Sequence, residues 1–230
     1  MTSHIHERAL VHPDADLGRN VRIGPDAIVN AGARLGDDVV LHPRVEVHRG
    51  TSIGARTEVF SGAVLGQVPQ DLSFDRELDT QLEIGADGVI RENVTAHRAT
   101  RADCPTRIGD RAYLMVNAHV AHDAHVGDDV ILCNNALLAG HVELGDRVFV
   151  SGNAAVHQFC RVGALTMISG VSGTSLDIPP FCIVSDRSII RGLTHVGMRR
   201  AGFDPETRGE DKAHYRSLAR AAGARAALAA

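Results

Sequence analysis

Three histidines separated by three residues mark the segment "NAHVAHDAHVGDDV", residues 117–130. They are His119, His122 and His125, and Asp123 directly follows the middle one. Histidine changes charge near neutral pH and is the commonest metal ligand in proteins. The segment is therefore compatible with a metal site, an acid–base site or a solvated polar turn. The fold decides between them, because it determines which of these side chains face the same way.

A six-residue period runs through most of the chain and predicts that fold. An aliphatic residue returns at every sixth position from Val11 to Leu65, and again from Ile108 to Ile168. Neither a helix nor an alternating strand gives this spacing. A hexapeptide period is the signature of a parallel β-helix, in which three short strands form one coil of about 18 residues. We therefore expect an all-β protein, a left-handed parallel β-helix with a short α-helical C-terminal appendage.

The composition agrees with a narrow interior and excludes several classes of function. The chain has 230 residues with no Trp and only 3% aromatic side chains, so small aliphatic residues must fill the core. A formal net charge of −4, without a long run of one sign, argues against nucleic-acid binding. No apolar stretch approaches the roughly 20 residues of a membrane helix, so we expect no membrane insertion. Four cysteines without a CxxC pair favour the reducing cytoplasm.

The period fails in three places, which predicts the division of the chain. Proline and charged residues interrupt it at about 66–83 and 97–107, and loops on a rigid scaffold often carry binding groups. The apolar spacing in residues 187–201 predicts an amphipathic helix. A turn at Asp204-Pro205 and a helix rich in Ala and Arg are predicted to follow it. We expect a β-helix over residues 1–186 and a short helical region over 187–230.

Coil geometry then brings several polar residues onto one edge. Residue i lies beneath residue i+18, about 4.8 Å away across the ladder. Over three successive coils this edge collects His122, Asp123, Gly140, His141, His157 and Gln158. His119 lies on the neighbouring strand end, and His125 falls at the next corner.

The residue types on this edge indicate acid–base chemistry. His122 is a base with Asp123 as its orienting carboxylate. Gly140 offers a backbone N–H to open space, as an oxyanion requires during acyl transfer. The edge has no Ser or Cys at its centre, which favours direct transfer to a substrate hydroxyl. Three histidines can also form a zinc site, but an extended run converges on one point only with help from a neighbouring chain, so we predict no metal.

Six motifs resemble one known family. The segments "IRENVTAHRAT", "NAHVAHD", "LLAGHVELGD", "AAVHQFCRVG" and "DIPPF", with "PQDL" in the first loop, are similar to those of the acyl-carrier-protein-dependent UDP-N-acetylglucosamine O-acyltransferases. The resemblance covers roughly residues 8–203. These enzymes perform the first step of lipid A biosynthesis. The resemblance implies a cytoplasmic homotrimer with active sites between subunits. It implies no cofactor beyond the phosphopantetheine of the acyl carrier protein that brings the 3-hydroxyacyl group.

The resemblance also implies roles for individual residues. His122 matches the base that deprotonates the sugar 3-hydroxyl, Asp123 the orienting acid and Gly140 the oxyanion glycine. Gly170 matches a glycine that leaves the acyl groove long, which implies a longer hydroxyacyl chain. The positions that match substrate-contacting residues are Asp71, His119, His141, His157, Gln158, Arg199 and Arg200.

Three departures from the family pattern leave alternatives open. Ser73 replaces the usual lysine of the first loop, Thr194 replaces an asparagine, and Ala201 replaces an arginine. The acceptor could therefore be a different nucleotide sugar, acylated on oxygen or nitrogen, or the acyl carrier could differ. A second class of function is a zinc-dependent hexapeptide lyase resembling γ-class carbonic anhydrases, which needs neither the long first loop nor the helical C-terminus. A third is a non-catalytic scaffold, against which the His–Asp edge argues.

Overall fold

The hexapeptide repeat folds into a three-sided solenoid of parallel β-strands. The computed structural model describes residues 3–205, and nearly all of its strands pair in parallel with strands one coil away. The prediction of an all-β solenoid with a short helix is confirmed. Its left-handed sense stays a prediction.

Each side of the solenoid is one sheet. The first sheet contains His4–Ile5, Arg22–Ile23, Val40–Leu41, Glu58–Val59, Val89–Ile90, Tyr113–Leu114, Ile131–Leu132, Phe149–Val150, Met167–Ile168, Cys182–Ser185 and Ile189–Leu193. The second contains Leu10–Val11, Ile28–Val29, Glu46–Val47, Val64–Gln67, Thr95–His97, His119–Val120, Leu137–Leu138, Ala155–Val156 and Gly173–Thr174. The third contains Asp16–Leu17, Arg34–Leu35, Thr51–Ile53, Leu82–Ile84, Thr106–Ile108, His125–Val126, Glu143–Leu144 and Arg161–Val162.

The repeated aliphatic residue of each hexapeptide forms the core. From Ile23 to Ile168 every such residue is buried, and the largest include Leu41, Leu65 and Leu132. Burial of an aliphatic side chain stabilises a fold by about 1.5–3 kcal/mol. Because one such residue comes from every side of every coil, the core is a continuous column, and the polar corners face outward.

Sharp corners connect the three sheets. One residue at most corners adopts a positive φ, including Asp123 at 59° and His141 at 61°. Asn and Asp tolerate this conformation better than other L-residues do. The backbone N–H of the corner residue usually bonds to a carbonyl one coil below, as from His141 to His122 at 3.1 Å.

Two loops interrupt the regular register. Leu82 pairs with Thr51, an offset of 31 residues instead of the usual 18, because residues 68–81 leave the coil. Thr106 pairs with Leu82, an offset of 24 residues, because residues 98–105 also leave it. Both loops therefore leave the solenoid between the second and third sheets.

The C-terminal part of the described chain differs from the sequence prediction. The predicted helix over 187–201 is wrong in its first half, where Ile189–Leu193 forms an antiparallel strand on Cys182–Ser185. The open edge of Cys182–Ser185 and the β-branched pair Ile189 and Ile190 favour a strand. A helix spans only His195–Arg200. The predicted Ala- and Arg-rich helix lies outside the described residues, and no helix among those described is long and apolar enough to cross a membrane.

Candidate active site

His122 and Asp123 lie together at the corner that follows the strand His119–Val120. Nδ1 of His122 and Oδ2 of Asp123 are 2.7 Å apart. The two side chains are only 15% and 8% exposed. An ionised carboxylate only accepts hydrogen bonds, so Nδ1 carries the proton and donates it. Nε2 of His122 is then left with a lone pair, as a general base requires.

The Asp123 carboxylate is held by two further donors. The Thr100 backbone N–H donates to Oδ1 at 2.9 Å, and the Thr100 hydroxyl donates to Oδ2 at 2.8 Å. Burial by itself would raise the pKa of Asp123. The hydrogen bonds from His122 and Thr100 outweigh it, and the pKa lies below its ordinary value. Asp123 is therefore ionised near neutral pH and can stabilise a protonated His122.

Gly140 lies against His122 one coil above, as the coil arithmetic predicts. A Cβ on Gly140 would be 2.6 Å from Cε1 and 2.9 Å from Nε2 of His122. Any larger residue would displace the imidazole ring, so glycine is required here. Among the described residues no acceptor pairs with the Gly140 N–H. A substrate oxygen next to Nε2 is thus within reach of a free backbone donor.

Aromatic stacking fixes His141 beside the dyad. Its ring meets His122 edge-on at 5.3 Å between centroids and stacks on Phe159 at 4.5 Å. Its Nε2 lies 3.7 Å from Oδ2 of Asp123. Phe159 is not among the predicted site residues, although it stands 18 positions after His141, where the coil period places it above that residue.

A groove of about 820 Å³ runs along this edge. Five of the predicted site residues line it, namely His119, His122, Gly140, His157 and Gln158. Its walls include apolar side chains such as Leu137, Ala155 and Val171, and Gln70 of the first loop also lines it. The groove therefore combines polar donors and acceptors near His122 with an apolar wall that suits a hydrocarbon chain.

Two more histidines extend the site below His122. Nδ1 of His119 lies 2.7 Å from the Thr95 hydroxyl oxygen, and burial, with the nearby His122, lowers the His119 pKa. The edge of His97 meets the His119 ring at 5.0 Å. Burial, together with the two neighbouring histidines, lowers the pKa of His97 to about 4. His97 is not among the predicted site residues, because the second loop changes the coil offset from 18 to 24 residues at this point.

Asp71 projects from the first loop and is tied to Ser73. Its Oδ1 accepts from the Ser73 N–H at 2.8 Å and from the Ser73 hydroxyl at 2.7 Å. These bonds lower the pKa of Asp71, and the electrostatic interaction with His122 acts in the same direction. The loop thus brings a carboxylate into the electrostatic neighbourhood of the dyad.

The remaining predicted residues lie elsewhere in a single chain. Arg199 and Arg200 belong to the helix His195–Arg200. Arg200 lines a second groove of about 620 Å³ beside the first sheet, not the groove at His122. Gly170 is next to the groove residue Val171. A Cβ on Gly170 would meet Gly152 O at an ordinary 3.5 Å, so this position has room for a side chain.

The three histidines of the opening segment do not converge on a metal position. His119 bonds to Thr95, and Nε2 of His125 lies 3.4 Å from Cys104 Sγ. Within the described part of the chain, only His122, Asp123 and His141 have donor atoms within 4.8 Å of one another. In that group Nδ1 of His122 and Oδ2 of Asp123 already bond to each other.

Sequence comparisons place this site in a known family. Residues 177–230 match the family described as UDP N-acetylglucosamine O-acyltransferase, domain 2, and residues 105–140 match the bacterial transferase hexapeptide. An acyl-[acyl-carrier-protein]–UDP-N-acetylglucosamine O-acyltransferase of Myxococcus xanthus is 46% identical over 95% of this chain and 85% of its own. The same enzyme of Halorhodospira halophila is 42% identical with the same coverage. The match to the Anaeromyxobacter enzyme, at 42% identity, spans 69% of this chain and 62% of that relative. The match to the enzyme of Campylobacter concisus spans 55% of the length of that relative.

Solved structures agree with the sequence relatives. A UDP-N-acetylglucosamine acyltransferase from Bacteroides fragilis matches with a TM-score of 0.89 and 38% identity, over 92% of this chain and 83% of that one. The enzyme from Campylobacter jejuni matches with a TM-score of 0.88 and 40% identity, over 94% and 84%. Identity at this level over nearly the whole chain, on the same solenoid, shows that the chain belongs to the acyl-carrier-protein-dependent UDP-N-acetylglucosamine O-acyltransferase family.

Proposed function

We propose that this protein transfers a 3-hydroxyacyl group from acyl carrier protein to the 3-hydroxyl of UDP-N-acetylglucosamine, the first step of lipid A biosynthesis. The observation that carries the proposal is the His122–Asp123 pair set against the bare Cα of Gly140 in an open groove. The relatives named for this reaction support it.

His122 acts as the general base. Its Nε2 takes the proton of the sugar 3-hydroxyl while the hydroxyl oxygen attacks the thioester carbonyl. The resulting imidazolium is stabilised by Asp123, whose carboxylate bonds to Nδ1 at 2.7 Å. A positioned base of this kind contributes about 10²–10⁴-fold to the rate.

Gly140 stabilises the tetrahedral intermediate. Its N–H donates to the carbonyl oxygen once that oxygen becomes negative, and a donor of this type contributes about 10²–10³-fold. The intermediate then collapses by breaking its C–S bond. The phosphopantetheine thiolate leaves and takes the proton from His122, which returns the base to its starting state.

The remaining groups bind the two substrates. Asp71, His119, His141, His157 and Gln158 contact the nucleotide sugar, and the apolar wall beside Val171 takes the acyl chain, which Gly170 leaves long. The protein acts as a homotrimer, in which Arg199 and Arg200 also contact the nucleotide. Because Arg200 lies away from its own chain's groove, it reaches a nucleotide only in the groove of a neighbouring subunit. The reaction takes place in the cytoplasm and needs no cofactor beyond the phosphopantetheine of the carrier.

One observation favours a variant of this reaction. Ser73 holds Asp71 through two hydrogen bonds at a position where the family usually has a lysine. Without that cation, the first loop presents a carboxylate and a hydroxyl to the acceptor. This difference favours acylation of a different nucleotide sugar, on oxygen or nitrogen, by the same base.

An acyl-transfer assay tests the proposal. Purified protein is incubated with UDP-N-acetylglucosamine and a panel of 3-hydroxyacyl carrier proteins, and mass spectrometry identifies the products. A product of acyl-sugar mass is expected, and its size gives the chain length. Absence of product with folded wild-type protein, followed by product with another nucleotide sugar, would select the variant reaction. Absence with every sugar tested would contradict both.

A further inference from the structure

One corner of the solenoid breaks the regular hydrogen-bond ladder. At most corners the residue with positive φ donates its N–H to a carbonyl of the coil below, as in Asp129 to Asp110 at 2.9 Å and Phe159 to Gly140 at 3.1 Å. Asp123 has the same conformation, with φ of 59°. Its N–H instead bonds to the side-chain oxygen of Thr106 at 2.7 Å.

The second loop causes this exception. Its residues 98–105 leave the coil directly below Asp123, so the usual carbonyl is displaced there. Thr100 lies near the start of the loop and Thr106 directly follows its end. Thr100 donates to both carboxylate oxygens of Asp123, and Thr106 accepts from its backbone. The two ends of the loop thus meet at one residue of the proposed dyad.

We infer that Thr100 and Thr106 are positioning residues that hold Asp123 with Oδ2 directed at Nδ1 of His122. The inference rests on the proposed role of His122 as base. A carboxylate with free rotation about χ2 could turn away from the imidazole. With Oδ1 and Oδ2 both bonded to Thr100, rotation would break two hydrogen bonds. The proton of the neutral imidazole therefore stays on Nδ1, and the lone pair on Nε2 faces the groove.

The loop has other anchors, which separates this role from loop folding. Arg101 pairs with Asp103 at 2.7 Å and forms an antiparallel bridge with Cys104. The Ala99 N–H donates to Gln81 O at 3.0 Å. Since these contacts use neither threonine hydroxyl, we expect the loop to keep its backbone path when the hydroxyls are removed.

The test compares Thr100→Val and Thr106→Val with the conservative changes Thr100→Ser and Thr106→Ser. Thr57→Val is the matched control, because Thr57 is fully buried like Thr106 and its hydroxyl donates to Gly85 O at 3.0 Å. The first readout is nitrogen NMR of histidine-labelled protein, which gives the fraction of His122 protonated on Nδ1. Its signal is assigned by its loss in His122→Gln, and no turnover is needed. The second readout is kcat and KM.

We expect Thr100→Val to lower the Nδ1–H fraction of His122 and to reduce kcat about tenfold, the effect of one hydrogen bond to a charged group. Thr106→Val should act in the same direction, and the KM for the nucleotide sugar should change by less than about twofold, because substrate binding is not involved. The serine variants should restore both readouts. Thr57→Val should lower only the melting temperature.

An unchanged His122 tautomer in both valine variants would overturn the inference, as would serine variants that are no better than valine. A tautomer shift in protein that acylates no UDP-N-acetylglucosamine would keep the inference and overturn the proposed acceptor. The two failures are therefore distinguishable.

Discussion

Asp123 and Asp129 occupy equivalent corners six residues apart and have opposite surroundings. Both adopt positive φ, at 59° and 55°. The Asp129 side chain is 35% exposed and pairs with Arg111 at 2.8 Å. The Asp123 side chain is 8% exposed and bonds to His122 and Thr100. The repeat supplies the same backbone position twice, and only the neighbouring side chains and the second loop turn one of them into a candidate site.

The two carboxylates also show that the direction of a pKa shift does not by itself identify a site. Both pKa values lie below the ordinary value. At Asp129 the main cause of the lowered pKa is the hydrogen bond from Arg111. Solvent and salt screen the charge of Arg111. At Asp123 burial opposes the shift, and bonds from His122 and Thr100 overcome it. Only the second arrangement couples a carboxylate to a base that faces a groove.

Loss of the base should have the largest effect. His122→Ala is expected to reduce kcat by about 10³-fold or more, since it removes the proton acceptor. Arg111→Ala, at the comparison corner, should leave kcat unchanged. Steady-state assays of both variants, with circular dichroism as a folding control, measure the difference. Retained activity in His122→Ala would exclude this residue as the base.

Substitution of Gly140 should have the second-largest effect on kcat. In Gly140→Ala the new Cβ would approach Nε2 of His122 to 2.9 Å and push the ring out of place. We expect a loss of about 10²-fold in kcat, as for a disturbed oxyanion site. Gly152→Ala is the matched control, because its Cβ would meet nothing closer than Asn134 O at 3.5 Å. Equal activities of the two alanine variants would argue against close packing of Gly140 on His122.

The buried histidine below the site should make stability depend on pH. The pKa of His97 is about 4 in the folded protein, below its unfolded value of about 6.5. The contribution of neutral His97 to the free energy of unfolding is therefore fully present above pH 6.5. About 3 kcal/mol of it is lost as the pH falls towards 4. Urea unfolding at pH 7 and pH 4.5 should show a smaller difference for His97→Asn than for wild type. Equal pH dependence would show that His97 is not responsible.

The smallest effect, on the free energy of unfolding, is expected at the corner of Asp129. Asp129→Asn should change the free energy of unfolding by less than about 1 kcal/mol, because its ion pair is partly exposed and screened. Asp123→Asn should destabilise the protein more, since the amide cannot accept all the hydrogen bonds that the carboxylate does. Chemical denaturation of the two variants at neutral pH makes the comparison. A larger loss at Asp129 would reverse the difference between the corners.

The repeat made much of the fold and part of the site predictable. Because coils of 18 residues stack in register, sequence spacing alone places His122 beneath Gly140 and Asp123 beneath His141. The N–H of His141 indeed bonds to His122 O at 3.1 Å. The same arithmetic fails across the second loop, where the offset is 24 residues. His97 lies directly before that loop and Thr100 lies within it, and so their proximity to the site could not be predicted.

The C-terminal strand was unpredictable for a different reason. Ile190, Leu193 and Val196 have the spacing of an amphipathic helix, so the local pattern favours a helix over a strand. An open sheet edge at Cys182–Ser185 decided the outcome. That edge arises from stacking of the whole solenoid, and within residues 187–194 only the β-branched pair Ile189 and Ile190 favours a strand.

The positive-φ corners have a consequence for protein engineering. Some of these corners carry residues that are poorly suited to a positive φ, such as Leu165 at 58° and the β-branched Val171 at 57°. Other corners carry asparagine, as at Asn135 and Asn153. A left-handed conformation costs an ordinary L-residue roughly 1–2 kcal/mol. Asparagine or glycine at such corners would raise the melting temperature without any change to the core. The solenoid thus offers a row of corner positions for thermostabilisation, in which asparagines one coil apart also bond to each other, as Asn117 does to Asn135 at 3.2 Å.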